Sequence, residues 1–256
     1  MDSLVFVPDM HLPIEDTPAV KGLIQFIDDF QPDEVIVMGD LMDFKQPSRW
    51  SKDTRAEFEG SVYRDCEYAQ QVFLDPLRAV YSGPVGIIEG NHDVRPRDYL
   101  EKNAPVLSGG SQFDLDVLLG FSERDIDLLP WIYVFADDWA ATHGHIGGIS
   151  MSKTAGVTAL NAANTFGLNI VCGHSHRLGM VSETEGYVSN YRTLTGIEVG
   201  HLVDVDQVDY MTPGVGNWQE GFAVGYRGEG WCVVNPIPIV NDRFVVEGQV
   251  YDIPRG

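Results

Sequence analysis

Basic residues are scarce in this chain: Lys and Arg number 17 against 38 Asp and Glu, a formal net charge of −21 over 256 residues. A deficit of that size argues against a broad basic surface for duplex nucleic acid, where Lys and Arg supply most of the affinity. It does not remove nucleic acid chemistry, because bound divalent metals reverse the local sign inside an acidic protein. No apolar run approaches about 18 residues, so no membrane-spanning helix and no membrane partner are expected. Cysteine is nearly absent. Cys66, Cys172 and Cys232 are widely spaced and odd in number, which speaks against a disulfide framework and for buried thiols in a reducing compartment. Met1-Asp2-Ser3 lacks the basic start and apolar stretch of a secretory leader, so a cytoplasmic protein is expected. Repeats, low-complexity tracts and linkers are also missing. Residues 1–256 are therefore expected to form a single domain, with a 44% hydrophobic fraction ample for its core.

What is present is a succession of short apolar runs and helical patterns. Leu4 to Val7, Val35 to Met38 and Val85 to Ile88 read as buried strands. Between them, Thr17 to Phe30 has helical spacing, with Thr17 as N-cap and Pro18 in the first turn, and Arg55 to Val80 reads as a long helix with a turn near Asp75-Pro76. This alternation predicts parallel βαβ units. Tyr99 to Leu129 reads as short helices and loops, and Trp131 to Thr142 as a hairpin turned at Asp137-Asp138. A helix over Thr154 to Phe166 and a strand over Asn169 to Cys172 follow. Gly179 to Ile253 is rich in Gly, Tyr, Val and Thr, and predicts antiparallel strands completing a second sheet.

Polar blocks close these runs. They are Asp9-Met10-His11, Gly39-Asp40-Leu41-Met42-Asp43, Gly90-Asn91-His92-Asp93, His143-Gly144-His145 and Gly173-His174-Ser175-His176. Six of the seven histidines lie in them, His201 being the exception. In open α/β sheets functional groups gather at the carboxyl ends of strands, so these blocks can meet in space. Mixed carboxylate, amide and imidazole donors suit Mn, Fe or Zn better than Ca or Mg alone. Each residue also has a plain structural use: Asp9 can cap a turn, Asn91 can take a left-handed conformation, His11 can be a core histidine. What those uses do not explain is seven ligand-type residues in this order.

The ordered set Asp-x-His, Gly-Asp-x-x-Asp, Gly-Asn-His-Asp, His, Gly-His-x-His resembles the calcineurin-like metallophosphoesterases, over residues 9 to 176. The resemblance implies a four-layer α/β/β/α sandwich with two stacked mixed β-sheets. It implies two divalent ions, Mn²⁺ first with Fe or Zn as alternatives. Asp9, His11 and His176 would hold one, Asn91, His143 and His174 the other, and Asp40 would bridge them. A metal-bridging hydroxide would be the nucleophile. His92 would face the substrate and protonate the leaving oxygen, with Asp93 orienting it. Asp43 would brace the Asp40 loop. His145 stands as a further metal ligand or substrate contact, and Arg95, Arg97 and Arg177 as phosphate contacts or surface salt bridges. His201 is expected to be structural, and Trp218 to pack in the core or line a substrate wall.

The function implied is a metal-dependent phosphoesterase, with a small, nucleotide-type and even cyclic phosphodiester as the preferred substrate. Nucleases that process DNA ends, phosphomonoesterases and inactive assembly scaffolds of the same fold are the alternatives. The acidic charge disfavours the nuclease. Asp43-Phe44-Lys45 lacks the arginine that protein phosphatases of the family carry after the second block. Retention of His92 and of every ligand disfavours the scaffold. A homo-oligomer is compatible with the sequence, but no strip of it identifies an interface.

Overall fold

The computed structural model describes residues 1–208 and 216–255. Its first sheet begins with β1 (Asp2–Val7), β2 (Glu34–Val37), β3 (Val85–Ile88) and β4 (Ile126–Leu129), all mutually parallel. Their side chains alternate between two faces, as the pleat requires. Val5, Val7, Val35 and Val37 point toward helix α1 (Thr17–Phe30), whose Val20, Leu23, Ile24 and Ile27 cover that face. Leu4, Phe6, Ile36 and Met38 point the other way, onto Val171, Ile197 and Val199 of a second sheet. Both faces are thus buried, and this is why these strands read as unbroken apolar runs.

α1 is capped by Asp16, not by Thr17. The Asp16 carboxylate accepts from the Ala19 N–H at 3.1 Å, while Thr17 starts the helix and donates its hydroxyl to Glu15. The long helix expected over Arg55 to Val80 is broken earlier than Pro76. A short turn, α2 (Arg55–Phe58), ends at Gly60, which sits at φ +94°. A continuous helical run then begins under a Ser61 cap, as α3 (Val62–Ala69), a π-helical segment (Gln70–Leu74) and α4 (Asp75–Val80). The π segment lies immediately before Pro76. A widened turn of this kind accommodates a ring that would clash with the preceding carbonyl and offers no N–H.

After β3 come α5 (Arg95–Asn103) and α6 (Leu115–Leu118), then β4, a strand hidden within what reads as loop and short helix. The second sheet is built from β5 (Ile132–Ala136), β6 (Trp139–Thr142), β7 (Asn169–Cys172), β8 (Leu178–Tyr187) and β9 (Asn190–Val199), in the order β5-β6-β7-β9-β8. β6, β7 and β9 are parallel, and β5 and β8 are antiparallel edges. α7 (Val157–Phe166) packs Ala159, Ala162 and Ala163 against Ala140, Ile170 and Cys172 on its outer face. The C-terminal strands do not all join this sheet. β10 (Gly221–Gly228) and β11 (Trp231–Pro238) add antiparallel to β1, so the first sheet reads β11-β10-β1-β2-β3-β4. β12 (Arg243–Val246) and β13 (Gln249–Asp252) form a separate hairpin. The result is four layers, helix, sheet, sheet and helix, with both sheets mixed. No helix among the described residues is long and apolar enough to cross a membrane.

Candidate metal centre

All five polar blocks follow strand ends on one side of the two sheets. Asp9 and His11 follow β1, Asp40 follows β2, and Asn91 to Asp93 follow β3. His143 follows β6 directly, and His174 and His176 follow β7. Turning so abruptly from extended strand requires uncommon backbone. His11, Asp40, His174 and His176 have φ of +52°, +47°, +66° and +57°. Non-glycine residues persist there only when their surroundings hold them, and such sites are often functional. The surroundings are tight. A Cβ placed on Gly90 would lie 2.2 Å from the Asp40 amide nitrogen, so only glycine lets these two loops touch.

Four of the imidazoles and two carboxylates converge. His11 Nε2 lies 3.0 Å from His176 Nε2 and 3.6 Å from Asp40 Oδ2. His176 Nε2 is 3.2 Å from Asp9 Oδ2, and His143 Nε2 is 3.3 Å from Asp40 Oδ2 and 3.2 Å from the Asn91 side-chain oxygen. The His174 ring packs 5.0 Å from that of His143, centroid to centroid. Asp9, His11, Asp40, His143 and His176 are at most 5% exposed. Among the described residues three groups of donor atoms able to hold a cation result: Asp9 with His11 and His176, Asp40 with His143 and His174, and His11 with Asp43 and His92.

The protonation pattern fits cations there. The His143 Nδ1–H donates to the Met38 carbonyl at 2.8 Å, leaving Nε2 to point a lone pair inward. The His11 Nδ1 faces Asp43 at 3.4 Å, which favours the same tautomer. His11 Nε2 faces His176 Nε2 at 3.0 Å, where two lone pairs repel unless a proton or a metal ion lies between them. Burial drives the His176 and His174 imidazoles toward neutrality, to about 3 and about 4, with neighbouring His143 adding to the effect at His174. Burial also opposes charge on His143, but the adjacent Asp40 and Asp9 carboxylates outweigh it and lift this group to about 9. Burial works against the Asp40 carboxylate too, and the surrounding imidazoles override it to hold the group well below the usual range. His174 and His176 thus stand neutral beside the ionised Asp40, the forms a divalent metal requires, whereas an ion held by His143 would displace its proton.

His92 lies beside this cluster, its ring edge-on to His11 at 4.3 Å. Its orienting partner differs from the one the sequence suggests. The Asp93 carboxylate accepts from the backbone N–H groups of Met42 at 2.9 Å and Gly90 at 2.8 Å, and so ties the β2 loop to the β3 loop. Neighbouring side chains in this turn diverge, and Asp93 faces away from the ring it follows. Asp43 takes the orienting place, with Oδ1 2.9 Å from His92 Nδ1. The two carboxylates differ in charge accordingly. Burial, reinforced by Asp40, pushes Asp93 up to about 7. Burial opposes ionisation of Asp43 as well, but its contacts with His11 and His92 hold it far below the usual range.

The three arginines separate clearly. Arg95 places NH2 2.8 Å from His92 Nε2 and donates NH1 to the Asp43 carbonyl at 2.6 Å. Arg97 is engaged by Glu89 and Asp114 at 2.9–3.1 Å, a structural ion pair. The Arg177 backbone N–H donates to Ser175 Oγ, and its side chain does not border the metal cavity. His145 also stays outside that cavity. It packs against His143 at 5.1 Å, and burial lowers it to about 4. His201 is buried, accepts from the Val203 N–H at Nδ1, and supports His176 together with Trp218. Trp218 does form a wall, edge-on to His176 at 4.2 Å and bordering a cavity of about 200 Å³ over the cluster. Of the glycines near it, Gly214 lies outside the described residues. The opposite wall includes Trp50, which no block or spacing marks in the sequence.

A two-sheet sandwich with paired His and Asp clusters at its strand ends defines a metallophosphoesterase. The chain belongs to the calcineurin-like phosphoesterase family, whose model matches residues 3–178. It is 41% identical to the Gene 54 proteins of Mycobacterium phage L5 and Mycobacterium phage D29, in each case over 98% of both chains. Among solved structures it is similar to Chaetomium thermophilum Vps29, at 13% identity and a TM-score of 0.48, covering 99% of this chain and 100% of the other.

Proposed function

We propose that the protein is a phosphodiesterase whose centre takes two divalent ions, Mn²⁺ foremost, and acts on a nucleotide-type diester. The observation that carries this reading is the convergence of buried imidazole Nε2 atoms on the Asp9 and Asp40 carboxylates at 3.2–3.6 Å. Asp9, His11 and His176 would hold one ion, and Asn91, His143 and His174 the other, with Asp40 between them. Such ions activate water at neutral pH and neutralise charge on a transferring phosphoryl group. The chain's own residues supply the rest. Asp43 fixes the His92 ring through Nδ1, so that Nε2 faces the cavity. Arg95 lies against that Nε2, positioned to engage a phosphate oxygen on entry. Once Arg95 turns to the phosphate, His92 Nε2 can take up a proton from solvent, and the imidazolium held by Asp43 then passes that proton to the departing alkoxide.

Preference for a diester is supported by space. The cavity over the cluster and a larger groove beside it share Trp50, His92 and Arg95 in their walls, so a second group esterified to the phosphate has somewhere to lie. The test compares bis-(p-nitrophenyl) phosphate with p-nitrophenyl phosphate on metal-stripped protein refilled with Mn²⁺. Faster turnover of the diester is expected. A monoester preference would overturn the diester reading, and no turnover of either would overturn the enzyme.

A further inference from the structure

The groove beside the metal cavity encloses about 560 Å³ and runs from Asn91 and His92 out along α5. Its charge is opposite to that of the molecule. Four of the chain's 17 Lys and Arg line it (Arg49, Lys52, Arg95 and Lys102), against one of its 38 Asp and Glu, Asp98. At its inner end stands Trp50, 71% exposed, with the Arg49 guanidinium 4.7 Å over its ring. Trp50 does not hang from an undefined loop. Ser48 and Ser51 on either side are buried, and the Ser51 hydroxyl donates to the Lys45 carbonyl at 2.6 Å. The chain anchors two small residues and turns the large ring between them out to solvent, at the border of groove and metal cavity.

An exposed indole normally carries a cost, since burying it would gain apolar contact. A cationic strip in a strongly acidic protein likewise points to an anion. Together, a ring with an open face and flanking cations form a stacking platform beside a phosphate track. We infer that this groove binds a single-stranded oligonucleotide, one base stacked on Trp50 and the flanking backbone phosphates along Lys52 and Lys102, with the scissile diester over the metal centre. A duplex is disfavoured because its bases are already stacked, and because the strip is narrow while the surrounding charge repels a second strand. A mononucleotide, with one phosphate, would leave most of the four cations that line the groove without a phosphate to meet.

This inference rests on the phosphodiesterase reading but is tested apart from it. The probe is a fluorescein-labelled, phosphorothioate-linked hexathymidylate, which outlasts the measurement, titrated by anisotropy into Mn²⁺-loaded protein. Trp50→Ala is expected to weaken binding about tenfold, the loss of one base–aromatic stack. The double variant Lys52→Ala/Lys102→Ala is expected to lower the slope of log affinity against log salt by about 1.4, two phosphate contacts at ~0.7 each on a single strand. An abasic hexamer should bind wild type about as weakly as the hexathymidylate binds Trp50→Ala. Unchanged affinity in Trp50→Ala, equal binding of the abasic probe, or equal binding of thymidine monophosphate would each overturn the proposal. Hydrolysis of bis-(p-nitrophenyl) phosphate by wild type, run in parallel, reports on the phosphodiesterase reading alone.

Discussion

At the scale of single residues, two buried aspartates have opposite duties. Asp43 holds the His92 imidazole; Asp93 holds two loops. Asp43→Asn is expected to lower kcat on a diester about ten- to hundredfold, the usual cost of losing an orienting carboxylate, while the melting temperature changes little. Asp93→Ala instead strands two buried N–H groups and should cost roughly 2–5 kcal/mol in urea unfolding. If Asp93→Ala kept full stability and Asp43→Asn kept full kcat, the two assignments would fall together. The sequence made the candidate cluster legible because its order of blocks is specific. It could not reveal Asp43 as the partner of His92, because the two are 49 positions apart and Asp93 stands next to the ring. Trp50 was silent for another reason: a lone aromatic in a polar stretch has no periodicity and no motif, and only its exposure beside a cationic groove distinguishes it.

At the scale of elements, the strand ends matter more than the strands. Gly90 lets the β3 loop press on the β2 loop, and a Cβ there would meet backbone, which cannot swing aside. Gly90→Ala should therefore separate Asn91 and His92 from Asp40, lowering metal content measured by elemental analysis and activity with it. Full metal occupancy in that variant would mean the loop contact is dispensable. The helices and the central strands were readable from apolar periodicity. β4 was not, since it is a four-residue edge whose Asp127 and Leu128 are exposed. Nor could alternation assign β10 and β11, since Gly221 to Gly225 are buried on both faces; the antiparallel pairing of β10 with β1 decides it.

Across the whole molecule, the chain's last described residues return to its first helix. Arg255 pairs with Asp16 at 2.6 Å and with Asp242 at 2.5 Å, close to Glu220. Burial, with Asp16 nearby, raises the Glu220 carboxyl to about 7. The folded protein thus keeps a proton that the unfolded chain releases near 4.5. The stability this contributes is complete below that value and is lost as pH rises through about 7. Between pH 5.5 and pH 8 in chemical denaturation, Glu220→Gln should therefore gain stability relative to wild type, because it lacks this loss. A profile unaltered by the substitution would place the dependence elsewhere.

The two sheets are fastened at the site by the protein itself. The His174 N–H donates to both Asp9 carboxylate oxygens at 3.0–3.1 Å, and the His143 ring donates to the Met38 carbonyl, each bond crossing from one sheet to the other. The seam behind the centre is therefore held by hydrogen bonds of the protein as well as by any ion. A chelator is accordingly expected to empty the site without opening the seam behind it.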